Sequence, residues 1–497
     1  MLTFEQARNL YFRFKTTNAT EENKGFRRLQ RLYEYYMGHH AICEKPGRGE
    51  GYKTYRVVHN YPQYVSTIST GYFMGMPVTY ISEDKDAIEP ALDIMDDNDG
   101  QTVDYDNALD MSIYGRAFRL FYIDEKGELN YKDLDPKNTI VIDDGKVKES
   151  LTDAIYFSEN LNADNNVDVR MFVYDNKQMV EYYFEAKMEW FKTSGSGFNS
   201  ADIEIPYKIV NEETHNITDE EGNPKLPIIK FKNNKFELGD YEPHLSLIDA
   251  YNDLVSGNME DLSDFTDAFL KLVNMNETNN DDIKALKEEK VLMLDENGDA
   301  DWLIKQVNDT FVNNMKDRLE ADIHKYTFVP NMNDKEFGGN LSGVAIKYKL
   351  LALEQVRGQK ERMFNKALTD QLAIIKGYLD RTKPSGKSFE LKDVKLQFTP
   401  NLPPNFLEEA DLVTKLRAAG LPDEYVYSKL SDVQDVEHIL EMKKSQEEEM
   451  FSDGYQGAFG GENPEEGKPE QSSDNPRPEE RVRDDNSSER EKVNADN

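Results

Sequence analysis

The sequence predicts an α+β fold, and three patterns carry that prediction. Residues 21–37 place apolar side chains at helical spacing with basic ones between them. Between 117 and 232 the chain runs through short aromatic and β-branched segments divided by turn residues. From 244 onward apolar positions recur every three or four residues over stretches long enough for extended helices.

Taken in order, the first helix carries Phe26, Leu29, Leu32, Tyr33, Tyr36 and Met37. A Gly-rich break at 47–51 precedes the apolar stretch YPQYVSTISTGYFMGMPVTY. The runs AFRLFYID, LTDAIYFS, DVRMFVYD and QMVEYYFEA, separated by turns such as Asp175-Asn176-Lys177, read as an antiparallel meander. IEIPYKIV and LPIIKF add further strands.

Residues 244–274 then read as one helix, roughly 46 Å long at 1.5 Å per residue. Its stripe holds Leu247, Ile248, Tyr251, Val255, Met259, Leu262, Phe265, Phe269 and Val273, while Asp249, Asp253, Glu260, Asp261, Asp264 and Asp267 occupy other faces. A short helix at 281–289 and two strands in KVLMLDENGDADWLIK, turning at Asn297-Gly298, form an insert. A second helix at 307–327 follows, able to lie beside the first. The polar loop KEFGGNLSG opens a third helix from Ser342 to Arg381, with a bend expected at Gly358. Beyond it, FELKDVKLQFTP reads as a strand and 405–419 and 431–448 as helices. Residues 452–497 hold almost no large apolar side chains and are expected to be disordered.

Charge is the strongest bulk property: 60 Lys+Arg against 95 Asp+Glu give −35. Residues 1–80, with eleven basic and six acidic side chains, net +5, which leaves −40 on the remainder. Such a chain repels DNA phosphates and excludes a tight, salt-dependent DNA binder, but not a protein that lets DNA pass. Cys43 alone permits no intrachain disulfide and fits a reducing compartment. The stretch MLTFEQARNLYFRFK lacks the apolar core of a signal peptide, and no apolar run reaches the length of about 18 residues that spans a membrane.

Chemistry-bearing motifs fail on inspection. PSGKS at 384–388 resembles the end of a phosphate-binding loop, but the motif's first glycine would fall on Arg381 and a helix precedes it. DENGDADWLIKQ has Ala300 and Gln306 where a calcium loop needs Gly and Glu. His39, His40 and Cys43 lack a fourth local metal ligand. No acid/base pair or triad is set apart, so no catalysis, cofactor or metal is expected. The helix at 244–274 has too many apolar positions for one neighbour and too much acid for burial, which packing against copies in a ring would reconcile.

YPQYVSTISTGYFMGMPVTY, the helix–insert–helix order and above all GGNLSGVAIKYKLLALE resemble the portal proteins of tailed bacteriophages, of the type found in long-tailed, non-contractile phages of Gram-positive hosts. The resemblance covers about residues 26–445. It implies a ring of about twelve subunits at one capsid vertex of the virion, made in the bacterial cytoplasm, through which terminase packages double-stranded DNA that later leaves the same way. By order along the chain it implies a mixed wing at 1–240, stem helices at 241–274 and 307–328, and an αβ clip at 275–306. A tunnel loop falls at 329–343, a long wing helix with its following strand at 344–399, a helical crown at 400–450 and an acidic tail at 451–497.

Partners implied are further copies of the chain, terminase, the major capsid and scaffolding proteins, a head–tail connector and weakly held DNA, with no membrane. Asn333, Lys335, Gly338, Gly339, Asn340, Ser342 and Lys347 then become channel contacts. Tyr251, Val255, Leu262, Phe265 and Phe269 become the ring interface, and Lys287, Lys290, Asn297 and Trp302 the clip's partner surface. Two other classes stay open: a scaffolding or tail structural protein, which would share the acidic helices but lack a conducting ring, and a DNA-processing enzyme, which would need a carboxylate–metal cluster or a working phosphate loop.

Overall fold

A computed structural model describes residues 1–16, 25–50, 52–146, 150–192, 204–265, 269–273, 299–303, 309–332, 343–383, 387–402, 406–430, 433, 436 and 438–446. The chain divides into two compact units, residues 1–403 and 404–497. Among the described residues no helix is long and apolar enough to cross a membrane.

In the first unit, α1 (Phe4–Thr16) and α2 (Phe26–Tyr36) precede α3 (Tyr61–Met74). Asn60 caps α3, its side chain accepting from the Gln63 amide at 3.4 Å. After β1 (Thr79–Ile81), Asp84 caps α4 (Lys85–Asp97) in the same way. Helix α5 (Gly100–Tyr114) ends at Gly115, whose φ of 83° is left-handed. A Cβ there would also stand 2.0 Å from the Glu237 carbonyl, so only glycine lets the two segments meet.

Four sheets form among the described residues, two of them strand pairs and two larger. One of the larger two has the order β3-β2-β9, from Leu129–Leu134, Arg116–Ile123 and Ile228–Lys232. The other is the predicted meander: β4 (Thr139–Asp143), β5 (Leu151–Leu161), β6 (Asn166–Tyr174), β7 (Gln178–Lys187) and β8 (Tyr207–Thr214), each antiparallel to the next. Alternation in β6 turns Val167, Val169, Met171 and Val173 inward. They meet Phe4, Ala7, Tyr11 and Phe12, one face of α1. A short helix, α6 (Met188–Lys192), follows β7.

Helix α7 (Leu245–Phe265) lies beside α8 (Asp309–Thr327). The single helix expected over 244–274 therefore ends at Phe265. Residues Phe269–Val273 instead form β10, antiparallel to β11 (Asp299–Leu303) with Leu270 opposite Trp302. Apolar spacing at 262, 265, 269 and 273 suits a helix, yet Phe-Leu-Lys-Leu-Val also suits a strand, and a pairing partner decides. The expected partner of β11, residues 290–295, lies outside the described residues.

The third long helix is two pieces, α9 (Gly343–Lys349) and α10 (Leu351–Thr382). The interruption falls at Leu350, which is buried, and not at Gly358, which sits inside an unbroken helix. Arg357 bonds Glu354 at 2.7 Å and Glu361 at 2.9 Å, bracing the turns on both sides of that glycine. Helix α10 packs Phe364, Leu368, Leu372 and Ile375 against Phe73, Met111, Phe121 and Phe231. Each such side chain contributes about 1.5–3 kcal/mol by leaving water. The expected strand at 389–400 shrinks to β12 (Lys395–Gln397), because its partner β1 is itself three residues long.

In the second unit, α11 (Phe406–Ala418) matches its prediction and residues 438–446 are helical. Between them α12 (Asp423–Tyr427) went unpredicted, being too short to show a period. Residues 451–497 lie outside the described set.

Candidate functional site

Helix α7 is tied to the N-terminal segment by a polar ladder. Residues 55–59 run extended along α7, and alternate amides donate to side chains one helical turn apart: His59 N to Asn252 Oδ1 at 2.8 Å, Val57 N to Ser256 Oγ at 3.0 Å and Tyr55 N to Glu260 Oε1 at 3.1 Å. Basic groups of the same segment reach the acids of α7. Lys45 Nζ meets Glu260 at 2.8 Å, and Arg48 meets Asp264 at 2.5 Å. Those contacts, the Lys45 hydrogen bond first, hold the Glu260 carboxyl below its usual range. Asp249 accepts the Tyr35 hydroxyl at 2.9 Å. Much of the acid read from the sequence as a bare face is therefore partnered within the chain.

Of the three residues set aside as metal ligands, His40 is engaged within the chain. His40 is buried, stacks on Tyr35 and lies 2.8 Å from Asn252 and 3.0 Å from the Tyr35 carbonyl through its two ring nitrogens. Among the described residues no His, Cys, Asp and Glu cluster could hold a metal. Lys387 of the phosphate-loop-like stretch pairs with Asp86 at 2.7 Å.

At the far end of α8 the chain turns at Phe328, whose φ of 61° is rare for an aromatic residue. His324 Nδ1 lies 3.0 Å from the Val329 carbonyl, and its ring stands edge-on to Tyr61 and Tyr64. Tyr64 donates to the Pro330 carbonyl at 2.8 Å and accepts from the Met332 amide at 3.0 Å. One tyrosine thus ties the segment 330–332 at two points. Its role was missed from sequence, although YPQY was among the stretches singled out.

Helix α10 is pinned to the body by buried charge. Lys360 Nζ bonds Asp240 at 2.5 Å and Ser69 Oγ at 2.9 Å, and both ions are enclosed. Burial pushes the Asp240 carboxyl up, but Lys360, with hydrogen bonds from Lys360, Ser112 and Asn233, brings it below its ordinary value. Gln371 accepts from Arg119, which also bonds Asp104 at 2.7 Å. Arg381 donates to the Asn216 carbonyl at 2.5 Å. Of the basic residues on this helix, Lys360 and Lys376 are buried, whereas Arg362, Lys366 and Arg381 are exposed.

The family described as "Phage portal protein, SPP1 Gp6-like" matches residues 18–451. The chain belongs to that phage portal family. It is 23% identical over 343 residues to the portal protein of Bacillus phage SPP1, covering 66% of this chain and 63% of that protein. It is 24% identical over 418 residues to the portal protein of Clostridium phage phiCD119, covering 80% and 87%.

For this portal-family chain the predicted site residues divide unevenly. Asn333, Lys335, Gly338, Gly339, Asn340 and Ser342 lie outside the described residues, as do Lys287, Lys290 and Asn297. Lys347 is exposed on α9. Trp302 sits on β11 and Phe269 on β10, so Phe269 is not on the stem helix, and Phe265 is the last residue of α7. Tyr251 is 3% exposed within its own subunit, packed on His59 and Tyr61, and Val255 flanks the same cluster. Leu262, by contrast, is 62% exposed.

Proposed function

We propose that the chain is the wall-forming subunit of a ring, about twelve copies, that conducts double-stranded DNA through one capsid vertex and performs no catalysis itself. Membership of the portal family supports this reading, and one structural observation carries it furthest. Helices α7 and α8, tied at their root, extend with Met259, Leu262 and Met315 exposed, and α9 and α10 expose Tyr348 and Leu351. Large apolar groups on slender helices want a neighbour, and an identical subunit supplies one.

In this reading 275–306 is the clip that meets terminase and then the connector, with Lys287, Lys290, Asn297 and Trp302 on its surface. Residues 333–342 touch passing DNA from a base fixed by Tyr64. Residues 1–240 and 344–399 form the wing and 400–450 the crown, facing capsid and scaffolding proteins. Tyr251 and Val255 serve the subunit's own core, and the neighbour contact shifts to Leu262 and Met259.

The test is ring assembly and DNA packaging together. Leu262→Asp should abolish rings in native mass spectrometry, because an exposed leucine becomes a desolvated charge only if a neighbour covers it. Rings of parental mass from that variant would remove the stem from the interface. Gly339→Val should leave rings intact and shorten the DNA packaged per procapsid, since a β-branched residue resists positive φ. Normal packaging would reduce 333–342 to a connector.

A further inference from the structure

Residues 233–240 form a loop that is held far more firmly than an exposed connection requires. Asn234 Oδ1 accepts from the Phe236 amide at 3.0 Å and the Leu238 amide at 3.2 Å, while its Nδ2 donates to the Leu238 carbonyl at 2.7 Å. Glu237 adopts a left-handed φ of 58°. Its buried carboxylate is enclosed by Lys230, by Arg116 at 3.6 Å and by Lys232 at 3.6 Å. Arg28 donates to its carbonyl at 2.8 Å. What this rigid frame presents is Phe236, 71% exposed, with exposed Lys235 beside it. A strained backbone that fixes an aromatic group in water is over-built for folding and suited to docking without ordering cost.

The loop caps the C-terminal end of α5: the Asp240 amide donates to the Ser112 carbonyl at 2.8 Å and the Asn233 amide to the Gly115 carbonyl at 3.0 Å. At the other end of α5, about 20 Å away at 1.5 Å per residue, lies an open hollow of about 250 Å³ lined by Met74, Pro77, Val78, Gln101 and Tyr105. Its lining Thr102 bonds Asp99, and Asp96 and Asp97 on the preceding turn are exposed. The hollow thus combines apolar Met74, Pro77 and Val78 with polar Gln101, Thr102 and Asp104, with Asp99 bonded to its lining Thr102, and the knob is aromatic with a cation beside it.

We infer that Phe236 of one copy seats in the Pro77–Tyr105 hollow of the next, with Lys235 facing Asp96, Asp97 and Asp99. Knob and hollow sit at opposite ends of one helix, so they cannot meet within a chain. A contact between two different patches repeats head to tail and closes into a ring when the rotation allows. The inference rests on the ring reading above and adds a second interface, in the wing, separate from the stem.

Disulfide trapping in the full chain tests it. A disulfide needs Cα atoms within about 7 Å, so Phe236→Cys with Pro77→Cys can cross-link only between copies. Under mild oxidation the double variant should give a ladder ending at the ring, each single variant should give none, and the two singles mixed should give dimers alone. Phe236→Ala, an exposed change that leaves folding intact, should raise the ring's dissociation concentration about tenfold, and Lys235→Glu should do the same only at low salt. Parental rings that form while the double variant stays uncross-linked would overturn this contact and leave the ring reading standing. Absence of any ring from the parent would overturn both.

Discussion

Replacing Lys360 with Met should loosen the long helix α10 from the body by a definite amount. The lysine Nζ stands 2.5 Å from Asp240 Oδ2, and the two side chains are 3% and 8% exposed. Methionine matches the stem of the lysine, so packing survives and the change isolates the charge. Asp240 keeps hydrogen bonds from Ser112 at 2.6 Å and Asn233 at 2.8 Å but loses its cation. Removing one partner of a buried pair destabilises by about 3–5 kcal/mol. For a cooperative unit of about 400 residues, an unfolding entropy of about 2 cal/mol/K per residue converts this to a fall in melting temperature of roughly 4–6 °C. The effect also has a pH signature. In the parent the Asp240 carboxyl lies below its ordinary value, so its contribution is full above the ordinary carboxylate range and fades as pH falls through the folded value. In the variant, burial is no longer opposed by Lys360, the carboxyl moves up, and the penalty is relieved by protonation. The gap in melting temperature measured by calorimetry should therefore be wider at pH 7 than at pH 4.5. A gap below about 1 °C at pH 7, or one that widens in acid, would refute the assignment of this pair as the anchor.

Glu260→Ala should cost about 1–3 kcal/mol by stranding the Tyr55 amide and Lys45, and amide exchange at residues 55–59 should quicken while the wing sheet stays protected. Because the Glu260 carboxyl is held low, that deficit should shrink as pH falls below the carboxylate range. Gly377→Ala places a Cβ 2.3 Å from the Asp219 carbonyl and should destabilise by about 1–3 kcal/mol, read as a lower denaturation midpoint. Lys387→Ala removes an exposed pair with Asp86 and should leave the denaturation midpoint unchanged. It should also leave packaging with added terminase unchanged, and purified protein should show no ATP hydrolysis before or after the change.

What the sequence disclosed follows the range of the interactions involved. The meander over β4 to β8 was legible because each strand pairs with its sequence neighbour, so local alternation and turns define it. The end of α7 was not, because Phe269 to Val273 satisfies both periods and only pairing with Asp299–Leu303, some thirty residues on, chooses between them. Leu350 as the helix break was hidden for a related reason: glycine is the local signal, but packing sets the interruption. Tyr64 and Lys360 carry no motif. Their partners, Pro330 and Asp240, are more than a hundred residues away, and single-sequence reasoning has no means to join them.

The ladder along α7 shows how its acids are partnered within the chain. Donors on an extended strand repeat every two residues, about 6.6 Å, and acceptors on a helix face repeat every four, about 6.0 Å. The near match lets Tyr55, Val57 and His59 hold Glu260, Ser256 and Asn252 in a single register, with Lys45 and Arg48 closing the end. The carboxylates of that face are thereby neutralised by the basic N-terminal region, whose +5 stands against the −40 of the rest. In the proposed channel, repulsion of a duplex therefore falls to acids outside this ladder, such as exposed Asp253. Asn252, Ser256 and Glu260 are buried within the chain, while Met259 and Leu262 are exposed on the face that the proposed ring assigns to the neighbour. In the proposed ring, α7 is divided lengthwise between holding its own N-terminal segment and meeting the neighbour, so a displacement of α7 would be passed to residues 55–59 through hydrogen bonds at Asn252, Ser256 and Glu260.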